Sequence, residues 1–506
     1  MKPFTTFAVI AISLLLTTGC KPTQDTPAQD TTTQDNAATP DSQPDQNAPA
    51  VDEPQAPTVA QNPSGDANTQ ANEVPPSEPT EAKEYVDIAD WCRPGMTEPI
   101  TALEWAKANN AFGLKFLRQT KGNTVFSPYS IERAIGMTLD GACGETASEM
   151  LEALEMPNAK RLSLAGRDVD DAMKSVNEDT MLEIENTLWP DKSMTLPEDF
   201  LARISAGYRN KTVALDYRTN PEIARVTIND DVAKTTHDRI KDLLPSGSID
   251  TDTRLVLTNA VYFKSKWHHQ FKAKETKSEK FYNSDKQIKT EIMHQIGGNH
   301  DVGNRNVCIA DDYAIYDLEF DSAKEGKKGS YFMRIVLPTI NDTHPMDKRM
   351  EQLDRVEKQL SGDLTSGCKN DYFDNVYVSL PKFKLAPDTM NINDKLQSMG
   401  MKKAYDPFSA EFYAMPNTTP QPSDLSKYLH ISDIFHKAFI EIDEKGGEAA
   451  AATAVVMKKR STCIGCGGSF GSKPRNYYFT VDHPFIYMII EKSTGAAIFM
   501  GRVTDL

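Results

Sequence analysis

Between Lys21 and Lys83 the chain contains no Ile, Leu, Met or aromatic residue, and eleven prolines interrupt a mixture of Gln, Thr, Asp and Ala. Such a stretch cannot bury enough apolar surface to offset the entropy of ordering it, so no folded core can be built from it. It also holds eleven acidic residues against two lysines, which is more than half of the net charge of −16. The remainder is only mildly acidic, with neither a nucleic-acid footprint nor a basic membrane patch. From about Thr97 to Leu506 the composition is globular, with no second linker and no internal repeat. One large domain over residues 98–506 is therefore expected behind a disordered tether over residues 20–97.

Ahead of the tether, Lys2, the apolar run Phe7 to Leu16 (FAVIAISLLL) and Thr17-Thr18-Gly19-Cys20 have the layout of a bacterial export signal. Ten residues are too few to span a bilayer. Small residues leading into a cysteine resemble a lipoprotein signal, in which residues 1–19 are removed and Cys20 carries the lipid that holds the protein to a membrane. Thr17 departs from the usual Leu, and an ordinary secretory signal with an incidental cysteine would share the pattern. The expected location is the cell envelope, at the outer membrane or the cell surface, in keeping with Lys21 rather than Asp after Cys20.

Within the folded part, Leu103 to Leu117 carries apolar residues at helical spacing, and Ser127 with Pro128 reads as an N-cap followed by proline in the first turn. Thr146, three residues ahead of Glu149, reads as a capping box opening EMLEAL. Leu255 to Phe263, Phe332 to Pro338 and Val376 to Phe383 read as strands, the last with Val376, Val378 and Leu380 on one face. The terminal FIYMIIEKSTGAAIFMGRV reads as a buried hairpin. Helices early and strands late predict an α+β fold.

The segment Glu444 to Ser461 reads EKGGEAAAATAVVMKKRS. Gly446 and Gly447 disfavour a helix, as do Thr453, Val455 and Val456. As a strand it would put Gly447, Ala449, Ala451, Thr453, Val455 and Met457 on one face and Glu448, Ala450, Ala452, Ala454, Val456 and Lys458 on the other. The first set holds no charge and grades from small to larger apolar residues. A segment that slides into an existing sheet, with one face against a core, needs that pattern.

His436 to Thr453 (HKAFIEIDEKGGEAAAAT) resembles the hinge of the serpins. FSPYSI, GACGETASEM, LTNAVYFKSKW, LPKFKL, and DHPFIYMI with FMGRV resemble other serpin signatures, in serpin order over residues 98 to 506. The resemblance implies three β-sheets, eight or nine helices and an exposed reactive-centre loop. It further implies an inhibitor rather than an enzyme, monomeric, with no cofactor or metal. In serpins the scissile bond lies sixteen residues beyond the hinge glutamate, here Glu444, which places it at Arg460-Ser461 and makes a trypsin-like serine protease the partner. Lys458 and Lys459 leave a shift of one or two residues open. The hinge is then Glu444, Gly446, Gly447, Glu448, Ala449, Ala450, Ala451, Ala452 and Thr453. Ser127, Ser130, Asn259 and His436 match the polar residues behind the point where the sheet opens, and Trp267 matches the tryptophan where the loop first enters. The alternative is a non-inhibitory serpin acting as a binding or structural protein, whose usual mark, large or charged inward hinge residues, is absent here.

Two departures stand out: Gly447 replaces the usual Thr or Ser, and no tryptophan lies between Asn229 and Val232. Of the cysteines, only Cys463 and Cys466 are close enough to suggest pairing, as a local disulfide or as two inert thiols; a lone CxxC argues against zinc. Gly467-Gly468-Ser469-Phe470-Gly471 fits the hydrolase G-x-S-x-G pattern but lacks a strand before it and a helix after it.

Overall fold

The computed structural model describes residues 8–17, 85–174, 180–297, 306–321, 330–341, 345–364, 367–415, 429–446 and 474–506. Its α-helices are α1 (Ala102–Leu117), α2 (Pro128–Leu139), α3 (Gly144–Ala153), α4 (Leu162–Met173), α5 (Glu198–Tyr208), α6 (Pro221–Thr235), α7 (Arg349–Gln359) and α8 (Asn393–Ser398). Thr101 and Glu104 cap α1 reciprocally, each side chain bonded to the other's backbone N–H. Ser127 caps α2 by accepting from Ser130 N at 2.9 Å, with Pro128 in the first turn as expected.

The strands form three sheets. The large sheet contains β1 (Ala8–Thr17), β3 (Thr180–Pro190), β4 (Lys211–Thr212), β5 (Thr253–Ser265), β13 (Phe383–Leu385), β14 (Met390–Asn391) and β15 (His430–Ile442). Its order is β13-β15-β1-β5-β3-β4, with β14 also on β15. A second sheet, in the order β11-β8-β9-β10-β17-β18-β2, joins Lys369–Tyr372, Asn306–Ile309, Tyr313–Glu319, Tyr331–Pro338, Phe485–Glu491, Ala497–Val503 and Thr124–Phe126. The third, β16-β12-β7-β6, joins Asn476–Thr480, Asn375–Pro381, Gln287–Gly297 and Lys277–Tyr282. Val376, Val378 and Leu380 of β12 are buried as their alternation requires, and β17–β18 is the predicted hairpin, buried throughout.

One core is shared by α1, α2, the second sheet and the inner face of the large sheet, where Leu255, Leu257, Val261 and Phe263 of β5 sit with Ile434, Ala438 and Ile440 of β15. On the outer face, Ile228 and Val232 of α6 pack against Val256, Ala260 and Tyr262 of β5 and Phe435 and Phe439 of β15. Asp231 stands in the stretch from which the tryptophan is missing, and it pairs with Lys211 at 2.7 Å.

Three expectations need correction. Residues 85–97, read above as tether, pack onto the fold. Ile88 and Cys92 are buried, Arg93 donates to Asn158 and Ala159, and Cys92 is disulfide-bonded to Cys143. A second disulfide joins Cys308 and Cys368. Closing loops of 51 and 60 residues, each bridge contributes about 4 kcal/mol on a chain-entropy account. Finally, α3 starts ahead of the expected capping box. Cys143 is its N-cap, the Thr146 hydroxyl accepts from Glu411 N, and Glu149 accepts from the backbone of Lys402 and Lys403.

Candidate functional site

Strand β15 ends at Ile442 in a tight turn, Asp443 to Gly446, in which Gly446 N donates to Asp443 O at 3.3 Å. Gly446 has φ +110°, and a Cβ there would lie 2.2 Å from the backbone nitrogen of Trp267, so only glycine fits. The turn is held from the end of β5. Trp267 N donates to Lys445 O at 3.0 Å, the Trp267 indole Nε1 donates to Asp443 O at 2.9 Å, and Phe271 N donates to Glu444 O at 2.8 Å. Trp267 is itself fixed by stacking on Phe320, with ring centroids 4.5 Å apart. Trp267 therefore holds the Asp443–Gly446 turn as well as packing in the core.

Glu444 accepts from Thr276 Oγ1 at 2.8 Å and lies 3.4 Å from Lys382 Nζ, which also pairs with Glu291. Burial pushes its carboxyl up, but hydrogen bonds from the backbone and Thr276, together with the Lys382 ammonium, prevail and hold it below the usual value. The glutamate stays ionised and fixes where the segment after it departs. Thr276 and Lys382 were not predicted; Thr276 immediately precedes β6 and Lys382 lies between β12 and β13, both far from Glu444 in sequence and without a local signal.

A polar row crosses the large sheet. In register, Asn186 of β3 faces Asn259 of β5, and Ile12 of β1 lies opposite both Asn259 and His436 of β15. Asn259 Nδ2 donates to Asn186 Oδ1 at 2.8 Å, and Asn186 Nδ2 donates to Tyr208 O. Behind the row lies the start of α2, where Ser127 N donates to His436 Nε2 at 3.3 Å. The structure thus brings Ser127, Ser130, Asn259 and His436 together and adds Asn186, which sequence reasoning missed. Ser130 Oγ, Asn259 Oδ1 and His436 Nδ1 have no partner among the described residues.

Burial holds the His436 imidazole down to about 3, so it is neutral near pH 7. Its usual value is 6.5, so the unfolded chain binds the extra proton first. The stability that the neutral ring contributes is complete above pH 6.5 and is lost as pH falls towards 3, by up to roughly 5 kcal/mol. Equilibrium unfolding between pH 7 and 4 should show this slope, and His436→Asn should remove it; an unchanged slope in the variant would assign the effect elsewhere.

The position between β5 and β15 is filled by β1, antiparallel to both neighbours. Gly447, Glu448, Ala449, Ala450, Ala451, Ala452, Thr453, Arg460, Ser461, Cys463, Cys466, Ser469 and Cys20 lie outside the described residues. Among the described residues no cluster of His, Cys, Asp and Glu could hold a metal.

Residues 107–506 match the family Serpin (serine protease inhibitor). An uncharacterized serpin-like protein of Thermococcus kodakarensis is 31% identical over 422 residues, covering 82% of this chain and 88% of its own. Antithrombin-III of Mus musculus is 31% identical over 416 residues, covering 79% and 82%. The native stressed conformation of Arabidopsis AtSerpin1 superposes with a TM-score of 0.62 at 23% identity, covering 80% of this chain and 99% of that one. With a family match over residues 107–506 and relatives 31% identical along most of their length, the chain belongs to the serpin family, whose members are generally protease inhibitors rather than catalysts.

Proposed function

We propose that this serpin traps a trypsin-like serine protease as a suicide substrate. The observation that carries the reading is the position between β5 and β15, which accepts a ten-residue antiparallel strand and opens at the Asp443–Gly446 turn. The protease serine attacks the Arg460 carbonyl, the bond to Ser461 breaks, and the protease is left as an acyl-enzyme on Arg460. Its specificity-pocket carboxylate pairs with the Arg460 guanidinium. Released from Ser461, Gly447 to Arg460 enters the sheet beside β15 with Gly447, Ala449, Ala451, Thr453, Val455 and Met457 inward. Fourteen residues at ~3.3 Å carry the protease roughly 46 Å, and a distorted catalytic site cannot complete hydrolysis.

The lipoprotein reading of Cys20 belongs to the same proposal. Removal of residues 1–19 leaves a lipidated N-terminus, and the polar stretch that follows holds the inhibitor away from the envelope surface. Trypsin mixed with the processed protein should give a covalent band on a denaturing gel, and the clipped protein should melt hotter than the uncut one. Cleaved fragments alone, with no heat-stable product, would remove the inhibitor reading.

A further inference from the structure

Nine of the ten residues of the leader's apolar run, with Thr17 after them, form a central strand of the large sheet, Ala8–Thr17. Ala8 to Thr17 pair with β5 from Phe263 down to Thr253, and Val9 to Thr17 pair with β15 from Phe439 down to His430. We propose that the unprocessed chain inhibits itself: Ala8–Thr17 takes the strand position that the hinge segment must enter, and removal of residues 1–19 empties it and arms the inhibitor. This rests on the loop-insertion reading above.

Direction comes first. The hinge leaves β15 through the Asp443–Gly446 turn, so an inserted loop runs antiparallel to β15, as β1 does. The two segments therefore require the same neighbours, in the same orientation, through the same backbone groups. Each N–H and C=O on the facing edges of β5 and β15 can complete only one ladder, so the two occupants exclude each other. β1 reaches the far end of the position, at Thr253 and His430, which leaves no free stretch below it.

Composition comes second. The sequence AVIAISLLLT contains no charge, glycine or proline, and its register partners Leu255, Leu257 and Val261 of β5 and Ile434 and Ala438 of β15 are buried. A secretion leader needs an uninterrupted apolar run; a central strand needs the same run in extended form. One segment serves both requirements. At the mouth of the position, the Lys266–Gly446 bridge and the Trp267 N–H on Lys445 hold the hinge at its starting point while the place beyond is taken. A precursor that folds before crossing the membrane then leaves the proteases of its own compartment untouched.

The test compares three proteins: the full 506-residue chain, the full chain carrying Ala11→Pro with Ser13→Pro, and the chain beginning at Cys20. Proline lacks the N–H that a central strand must donate. Before any protease is added, the full chain should melt roughly 10 °C or more above the other two, with slower amide exchange in β5 and β15. With trypsin, the full chain should be cut without trapping, and the other two should give at least about tenfold more covalent complex, in proportion to the fraction with an empty position. Equal melting and equal exchange in all three would overturn the proposal, whatever trypsin does. If the melting difference holds but no protein forms a complex, the self-filled sheet stands and the loop-insertion reading falls. If the proline variant does not fold, the shortened chain carries the comparison.

Discussion

Thr453→Arg in the processed chain should abolish trapping of trypsin while leaving cleavage at Arg460-Ser461 intact. Thr453 belongs to the uncharged set that runs Gly447, Ala449, Ala451, Thr453, Val455, Met457. On insertion that set turns towards the face where Leu255, Leu257 and Val261 meet Ile434, Ala438 and Ile440, all fully or almost fully buried. A guanidinium placed against that apolar face loses its hydration and costs several kcal/mol. Trapping is a race between strand insertion and water attack on the acyl bond. A rise of about 4 kcal/mol in the insertion barrier slows that arm by about 10³-fold, which gives the race to hydrolysis. The covalent band should disappear, trypsin should recover full activity, and the clipped variant should gain no thermal stability. Ala452→Arg, one residue earlier and on the opposite face, should keep most of the trapping. If Thr453→Arg still formed the complex in full yield, insertion of this segment would not be what traps the protease.

The contrast expected between those neighbouring positions rests on strand alternation, which is legible because it is a local property of sequence. The same holds for Val376, Val378 and Leu380 of β12, and for the Ser127 cap with Pro128 behind it. Contacts between distant segments were not legible. Cys92 and Cys143 are 51 residues apart and Cys308 and Cys368 are 60 apart, so spacing offered no pairing, whereas the adjacent CxxC drew attention. Residues 85–97 read as tether because they follow the proline-rich stretch directly and their few apolar residues show neither helical nor strand periodicity. A disulfide, the Tyr85–Ser163 hydrogen bond and the Asp87 carboxylate on Arg161 N fix them, and hydrophobic patterning does little. Thr146 suggested a cap because its actual partner, Glu411, lies 265 residues away. The apolar run Phe7 to Leu16 carries the sharpest lesson: periodicity cannot separate a leader from a central strand, and residues 8–17 pair as such a strand between β5 and β15. Of the candidate site, the polar residues and Trp267 were found by resemblance. Asn186, Thr276 and Lys382 emerge only when strands are laid side by side.

Arg460→Ala should slow trapping of trypsin by about 10²–10³-fold, since truncating one partner of a buried ion pair costs roughly 2–5 kcal/mol, much of it from the carboxylate left unpaired in the protease pocket. Uncut stability should not move, because the substitution alters only the group that the protease reads. The adjoining Lys458 and Lys459 sharpen the test. Residual cleavage in the variant should shift to the bond after Lys459, which shortens the insertable segment from fourteen residues to thirteen and the protease's travel by about 3.3 Å. A shorter path exerts less distortion on the acyl-enzyme, so the few chains cut there should partition further towards release than towards trapping. N-terminal sequencing of the released fragment reads the bond directly. In the wild-type chain it should begin at Ser461; a start at Arg460 or Lys459 would move the reactive bond and, with it, the length of strand available to drag the protease.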